Sequence, residues 1–292
     1  NPSENWGIVN PRFATLTIVD NDQGPQSQVA RTTAAESAPV LQQANPVTVS
    51  EFFVRQQYLD FLGREPDAGG FNAWVNLLQN CSYQGFPGPG KSGSDPACDR
   101  VTVSGAFFGS PEFQQKGYFV YRFYKATLPD LFNGSTAGRQ PTYEEFLTDL
   151  NSVSGQTGAE VNARKDAFVD AWLERPDFRA LYEGISDADY VDKLAATARI
   201  TLTNRNQLVA DLVAHRQTRA QVLRTVVDNP VLYNRDFYSA FVLMQYFGYL
   251  QRDPEPAGYN AWLNYLNSTG DFRTMINGFV YSAEYQSRFG TP

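Results

Sequence analysis

The spacing of apolar residues divides the chain into a short N-terminal strand and a long helical region. Between Phe13 and Asp20 small and β-favouring residues alternate, a pattern that predicts one strand within residues 1–22. Residues 23–47 are rich in Gln, Ser, Thr and Ala without any period, and they predict a flexible linker. From residue 48 to residue 290 the apolar positions recur at helical spacing. We therefore expect an all-α domain preceded by one orphan β-strand.

Helix start and stop signals mark the helical region. Thr48 and Glu51 have the spacing of a capping box, so a helix is expected to begin there. Gly63 suits the left-handed residue that ends a helix, and Asp67 is placed to cap the next one. The same reasoning predicts three further starts: Ser110-Pro111, opening one long helix through Tyr124, Thr142 with Glu145, and Thr218 with Gln221.

The helical region contains an internal repeat. Residues 53–78 align without a gap on residues 241–266, and thirteen of the 26 aligned positions are identical. A second element recurs four times, ending at Phe113, Phe178, Leu232 and Tyr285. It divides the domain into four units of about 53–65 residues, at 48–115, 116–181, 182–234 and 235–290. Such units are expected to stack, each covering the apolar face of the next.

The repeated turn resembles a known family. The residues from Val54 through Tyr58, Leu62-Gly63-Arg64-x-Pro66-Asp67 and Gly70 to Trp74, followed by Ser110-Pro111-Glu112-Phe113, resemble the bacterial domain-of-unknown-function family 4214. Residues 237–289 resemble a second copy, with Gln251 in place of the Gly and Ala283 in place of the Pro. The middle of the domain matches weakly. The resemblance implies a large secreted or surface protein of bacteria, and it implies no activity.

The N-terminal strand resembles a different family. Residues 12–22, RFATLTIVDND, are similar to the closing strand of a Calx-beta domain, so residues 1–22 would be the terminal strand of a truncated Calx-beta-like domain. In that setting Asp20 and Asp22 would contribute to a Ca²⁺ site, although the segment alone has too few oxygen ligands. The alternative is an ordinary solvated turn. Calcium is the only cofactor that the sequence suggests.

Two cysteines indicate the compartment. Cys81 and Cys98 flank a stretch rich in Gly, Pro and Ser, which favours a disulfide across a loop over two free buried thiols. A disulfide implies an oxidising compartment, and thus secretion or the cell surface.

Composition excludes several classes of partner. The chain has 31 acidic against 24 basic residues, a net charge of −7, which argues against nucleic acid. One His and two Cys argue against most zinc, haem and iron–sulfur sites. No apolar run approaches the length of roughly 18 residues that a membrane span needs.

The candidate ligand-binding residues each have a structural alternative. Arg64 with Asp67, and Arg252 at the matched position, would grip a ligand or else stabilise the turn. Aromatic residues that crowd the unit junctions would stack on sugars or else pack between units. The junction residues are Tyr118, Tyr121, Tyr124, Tyr233 and Tyr238.

We therefore expect a non-enzymatic interaction, adhesion or assembly module whose partner is a protein or a polysaccharide at the cell surface. One alternative is a carbohydrate-binding module that uses the junction aromatics. A weaker one is a glycoside hydrolase using a carboxylate pair, Glu144 with Glu145 or Glu65 with Asp67. The orphan strand suggests self-association by strand addition through residues 12–22.

Overall fold

The fold of the described residues is all-α, as the sequence predicts. A computed structural model describes residues 45–81, 98–131, 134–155 and 157–290. The named secondary-structure elements in these ranges are all helices. The predicted strand within residues 1–22 lies outside them. The helices are α1 (Ser50–Gln57), α2 (Ala68–Gln79), α3 (Arg100–Gly109), α4 (Pro111–Gln115), α5 (Gly117–Thr127), α6 (Tyr143–Val153), α7 (Gly158–Leu173), α8 (Pro176–Tyr182), α9 (Asp187–Ala198), α10 (Arg205–Val213), α11 (Arg219–Val227), α12 (Pro230–Gln245), α13 (Pro256–Thr269), α14 (Phe272–Val280) and α15 (Ala283–Ser287).

Side-chain caps begin many of these helices. The capping boxes predicted at Thr142 and Thr218 are both present, with Glu145 and Gln221 completing them. Asp67 caps α2 by accepting from the backbone N–H of Gly70 at 2.8 Å. The four recurring elements each open a helix, namely α4, α8, α12 and α15.

The capping box predicted at Thr48 and Glu51 is wrong. Residues 46–48 form a 3₁₀ turn that Asn45 caps, and the hydroxyl of Thr48 donates to the carbonyl of Asn45 at 2.7 Å. Val49 is the residue that precedes α1, and it provides no side-chain cap. Glu51 instead accepts a hydrogen bond from Gln79 on α2. The hydroxyl of Thr48 therefore stabilises the turn before α1 and does not cap the helix.

The prediction of one long helix from Ser110 through Tyr124 is also wrong, because the helix is interrupted at Lys116. This residue has φ −108° and ψ −82°, which separates α4 from α5. Its ammonium is fully buried between Glu112 and the carbonyl of Gly155. At Gly117 the ring of Phe113 approaches within 2.8 Å of where a Cβ would lie, so glycine permits this close packing.

Helix α5 is the centre of the domain. Every residue from Gly117 to Thr127 except Lys125 is buried. The helix packs against α6, α9, α11 and α12, so side chains from three of the predicted units surround it. Its aromatic residues supply much of the core, and that burial is a major source of stability.

The first and last predicted units pack directly on each other. Helix α3 lies against α14, and the π-helical turn Tyr58–Leu62 at the end of α1 lies against the π-helical turn Tyr246–Leu250 at the end of α12. In a linear stack the first unit would contact only the second. The first and last units therefore close on one another, whereas the sequence predicts a stack of neighbours.

Candidate functional site

The two cysteines form a disulfide, as expected. Cys81 follows α2 and Cys98 precedes α3, with their Cα atoms 5.5 Å apart. The bond ties these helices together across residues 82–97, which lie outside the described ranges.

Arg64 lies in the turn between α1 and α2, and the fold occupies its guanidinium. Two N–H groups donate to the carboxylate oxygens of Glu112 on α4, both at 2.7 Å. A third donates to the carbonyl of Glu65 at 3.0 Å, and Asp67 lies 3.6 Å away. The guanidinium also stacks over the ring of Tyr58 at 5.0 Å. We call Tyr58, Arg64 and Glu112 the first turn clasp.

Electrostatics favour the charged form of this clasp. Burial raises the pKa of Glu112, but hydrogen bonds from Arg64 and Lys116 outweigh it, and the pKa lies below its usual value. The hydrogen bond with Glu112 raises the pKa of Arg64. Only 12% of the Arg64 side chain is exposed, so little of it remains for an external ligand.

Glycine and tryptophan of the motif support the clasp. The hydroxyl of Tyr58 lies so close to Gly70 that a Cβ there would overlap it. The ring of Tyr58 packs edge-on against Phe107, with centroids 4.8 Å apart, and Trp74 covers the same Phe107 at 5.7 Å. The motif residues therefore explain one another as packing partners.

The same geometry recurs 188 residues later, in a second turn clasp of Tyr246, Arg252 and Glu284. Arg252 donates to both carboxylate oxygens of Glu284, at 2.6 and 3.1 Å, and stacks over Tyr246 at 5.6 Å. A Cβ at Gly258 would lie 2.6 Å from the hydroxyl of Tyr246. Gln251 occupies the left-handed position of Gly63, with φ 54° against 64°. The second clasp is more exposed than the first.

The middle of the chain contains a related arrangement that the sequence did not predict. Tyr124 on α5 packs edge-on against Trp172, with centroids 4.9 Å apart, as Tyr58 packs on Phe107. The arginine comes from the other side, because Arg175 opens α8 and stacks over Tyr124 at 5.3 Å. Arg175 Nη1 also donates to Asp149 at 2.9 Å. The only sign of this arrangement in the sequence was Arg175 itself, at a position where the other units have Ser or Asn.

The three junction tyrosines predicted as sugar platforms lie in the core. Tyr118, Tyr121 and Tyr124 each have no exposed surface. Their hydroxyls bond within the fold, to the carbonyl of Tyr233, to Ser239 and to Asp149 respectively. Their rings fill α5 packing positions and offer no face to a sugar, which corrects that expectation for these three residues.

Three of the four carboxylates considered for hydrolysis are engaged within the fold. Glu145 accepts two hydrogen bonds from Arg139, at 2.6 and 2.7 Å, and closes the capping box with Thr142. Glu65 pairs with Arg55, and Asp67 caps α2.

Neither a metal site nor a membrane helix is found in the described ranges. No group of three His, Cys, Asp or Glu side chains there could hold a metal ion. Asp20 and Asp22, the residues suggested for Ca²⁺, lie outside these ranges. Among the helices of the described residues, none has the length and apolar character that crossing a bilayer requires.

A buried ion pair between Asp60 and Arg288 joins the first unit to the last. Asp60 has 3% of its side chain exposed and accepts from both Nη atoms of Arg288, at 3.0 and 3.1 Å. Arg288 also donates to the carbonyls of Gly248 and Tyr249. Burial raises the pKa of Asp60 to about 6, against the lowering effect of Arg288. Gly248 occupies the position matched to Asp60, so the repeat gave no signal for this pair.

Comparison with known proteins bears on the last part of the domain. The family described as Domain of unknown function (DUF4214) matches residues 233–289, which contain the second turn clasp. No curated protein and no solved structure matches the chain. The part of the chain that matches this family, residues 233–289, is helical and runs from within α12 to the end of α15.

Proposed function

We propose that the chain is a non-enzymatic interaction module of a bacterial secreted or surface protein, built around two copies of the DUF4214 unit. The observation that carries this proposal is the use of the family motif. In both turn clasps the arginine binds a glutamate at the start of the closing helix and stacks on a tyrosine. The charged residues of the motif thus hold helices together, a role that needs no substrate.

The copy that we propose at residues 48–115 is supported by matched contacts. Tyr58 with Phe107 and Tyr246 with Phe279 have centroid distances of 4.8 and 5.0 Å and interplanar angles of 84° and 77°. Identity of thirteen among 26 aligned positions makes a common origin the simplest account of this agreement. In this proposal the two middle units are degenerate relatives.

The setting is part of the proposal. The disulfide supports an oxidising compartment. A Calx-beta domain before the helical part, with Ca²⁺ at Asp20 and Asp22, would suit a multidomain adhesion protein. Strand addition through residues 12–22 would let such chains assemble. Removal of residues 1–22 should then convert oligomers into monomers in light scattering, and an unchanged mass would refute this assembly route.

The proposed partner is a protein or a polysaccharide at the cell surface. The carbohydrate-binding alternative needs aromatic rings outside the core. Tyr233 and Tyr238 at the junctions are only partly buried and would have to serve. We would apply the full chain to a glycan array with and without Ca²⁺, and to a broad panel of hydrolase substrates. Glycan binding that Tyr238→Ala abolishes would favour the carbohydrate-binding alternative, and turnover of any substrate would overturn the non-enzymatic proposal.

Matched arginine variants test whether the motif is structural. Arg64→Met should lower the free energy of unfolding by about 2 kcal/mol, because the largely buried carboxylate of Glu112 loses both hydrogen bonds from Arg64. Arg252→Met should cost no more than about 1 kcal/mol, because its pair with Glu284 is more exposed. Urea unfolding measures both values. Loss of ligand binding by either variant without loss of stability would instead place a ligand at the clasp.

A further inference from the structure

Three basic side chains converge where α5, α7 and α11 pack together. Lys165 on α7 is only 7% exposed. Its Nζ lies 4.4 Å from the ring centroid of Phe119 on α5, and the guanidinium of Arg224 on α11 lies 4.8 Å from the same centroid. Arg122, one turn after Phe119, is 5% exposed and acts electrostatically on Lys165. This concentration of positive charge occurs in a chain of net charge −7.

Acidic neighbours neutralise the two arginines but leave the lysine unpaired. Asp228 accepts from Arg122 Nη2 at 2.9 Å and from Arg224 Nε at 2.6 Å. Asp166, mostly exposed, lies 3.6 Å from Arg224. Among the described residues Lys165 has no hydrogen bond and no ion pair, and its Nζ lies over the ring of Phe119. Burial, and then Arg224, lower the pKa of Lys165, and the attraction of Asp228 and Asp166 offsets this only in part.

Arg122 adds a second unpaired donor. Its Nε donates to the carbonyl of Val227 at 2.9 Å and so caps the end of α11. Its Nη1 is buried without a hydrogen-bond partner, and the guanidinium is stacked on the rings of Tyr118 and Tyr233. Arg122 Nη1 is therefore a buried donor that the acceptors of this region leave unsatisfied.

We propose that Lys165 and Arg224 bind an anionic oxygen group, a carboxylate or a phosphate, of a ligand that enters between α7 and α11. Such a group accepts charge-assisted hydrogen bonds from an ammonium and a guanidinium together. It would compensate the one cation of this cluster that the fold leaves unpaired. The site lies in the middle of the chain, so it stands whether or not the outer segments are two family copies.

The test is a titration of the full chain with inorganic phosphate and, separately, with galacturonate, at constant ionic strength. Calorimetry should show saturable binding of at least one of them, and galactose should show none. Stronger binding of phosphate or of galacturonate identifies which group the site prefers. Absence of saturable binding by both anions would overturn the proposal.

Variants on α7 locate the site. Lys165→Met retains the apolar stem and removes the unpaired charge, so it should fold and should weaken anion binding by at least about tenfold. Lys165→Arg should retain binding. Arg164→Gln, which removes a positive charge from the neighbouring exposed position, is the matched control and should change the Kd by less than about twofold. Equal weakening by Lys165→Met and Arg164→Gln would mean nonspecific attraction and would refute the site.

Discussion

Burial and the ion pair with Arg288 shift the pKa of Asp60 in opposite directions. Asp60 is almost completely buried, with 3% of its side chain exposed, at the joint between the first and last units. Burial favours the neutral acid, whereas the two hydrogen bonds from Arg288 favour the carboxylate. Asp60→Asn removes the titration and keeps a polar side chain of the same shape. Comparison of the two proteins across pH shows which effect prevails.

The pKa of Asp60 sets the magnitude and the sign. Burial raises it from 3.8 to about 6, although Arg288 and Gln251 lower it in part. A pKa that is higher in the folded state means that stability from this group is present below pH 4 and is lost as pH rises through 6. About two pKa units at 1.36 kcal/mol each correspond to about 3 kcal/mol. The wild type should therefore lose about 2 kcal/mol or slightly more relative to Asp60→Asn between pH 4 and pH 7.

The assay is urea unfolding of both proteins from pH 4 to pH 8, followed by circular dichroism. The difference between their free energies of unfolding cancels the other titrating groups, such as Asp149, whose pKa burial also raises. Asp170→Asn, on the exposed face of α7, is the control for removing one carboxylate. If the wild type gained stability relative to Asp60→Asn with rising pH, Arg288 would outweigh burial and the reasoning would be refuted.

Two further predictions concern packing and covalent restraint. Gly70→Ala should destabilise the domain by about 1–3 kcal/mol, because its Cβ overlaps the hydroxyl of Tyr58. Gly69→Ala should be neutral or stabilising by up to about 1 kcal/mol, because its Cβ has room in the same helix. Thermal unfolding compares the two variants, and equal effects would contradict the overlap at Gly70. Replacing Cys81 and Cys98 by Ser should cost about 3 kcal/mol in urea unfolding, because the bond closes a loop with a separation of 17 residues. The double variant should also lose its sensitivity to reducing agent, and continued sensitivity would place the reactive bond elsewhere.

Local rules were sufficient where one short segment decides the outcome. The caps at Asp67, Thr142 and Thr218 depend on residues three positions apart, so the sequence predicted them correctly. The left-handed residue after the π-helical turn, Gly63, was predicted correctly because glycine adopts this conformation without strain. The all-α character of the domain was also predicted correctly, because it too depends on patterns within short segments.

Tertiary contacts decided the features that the sequence missed. The break at Lys116 follows from burial of its ammonium between Glu112 and a carbonyl 39 residues away. The apolar pattern is continuous across this point, so periodicity alone predicts one helix. Tyr121 shows the same limit, because the sequence identifies an aromatic junction but cannot tell a buried ring from an exposed one. Partners distant in the chain determine these outcomes.

The packing of the first unit on the last suggests where recognition takes place. Phe61 and Tyr249, which are 188 residues apart and equivalent in the repeat, contact each other with ring centroids at 5.2 Å. Helix α3 likewise packs on its counterpart α14. Contacts between equivalent positions are typical of an isologous interface, which two units complete and a third cannot extend. The joint thus occupies the first and last units, and the ligand site that we propose at Lys165 lies in the divergent middle of the chain.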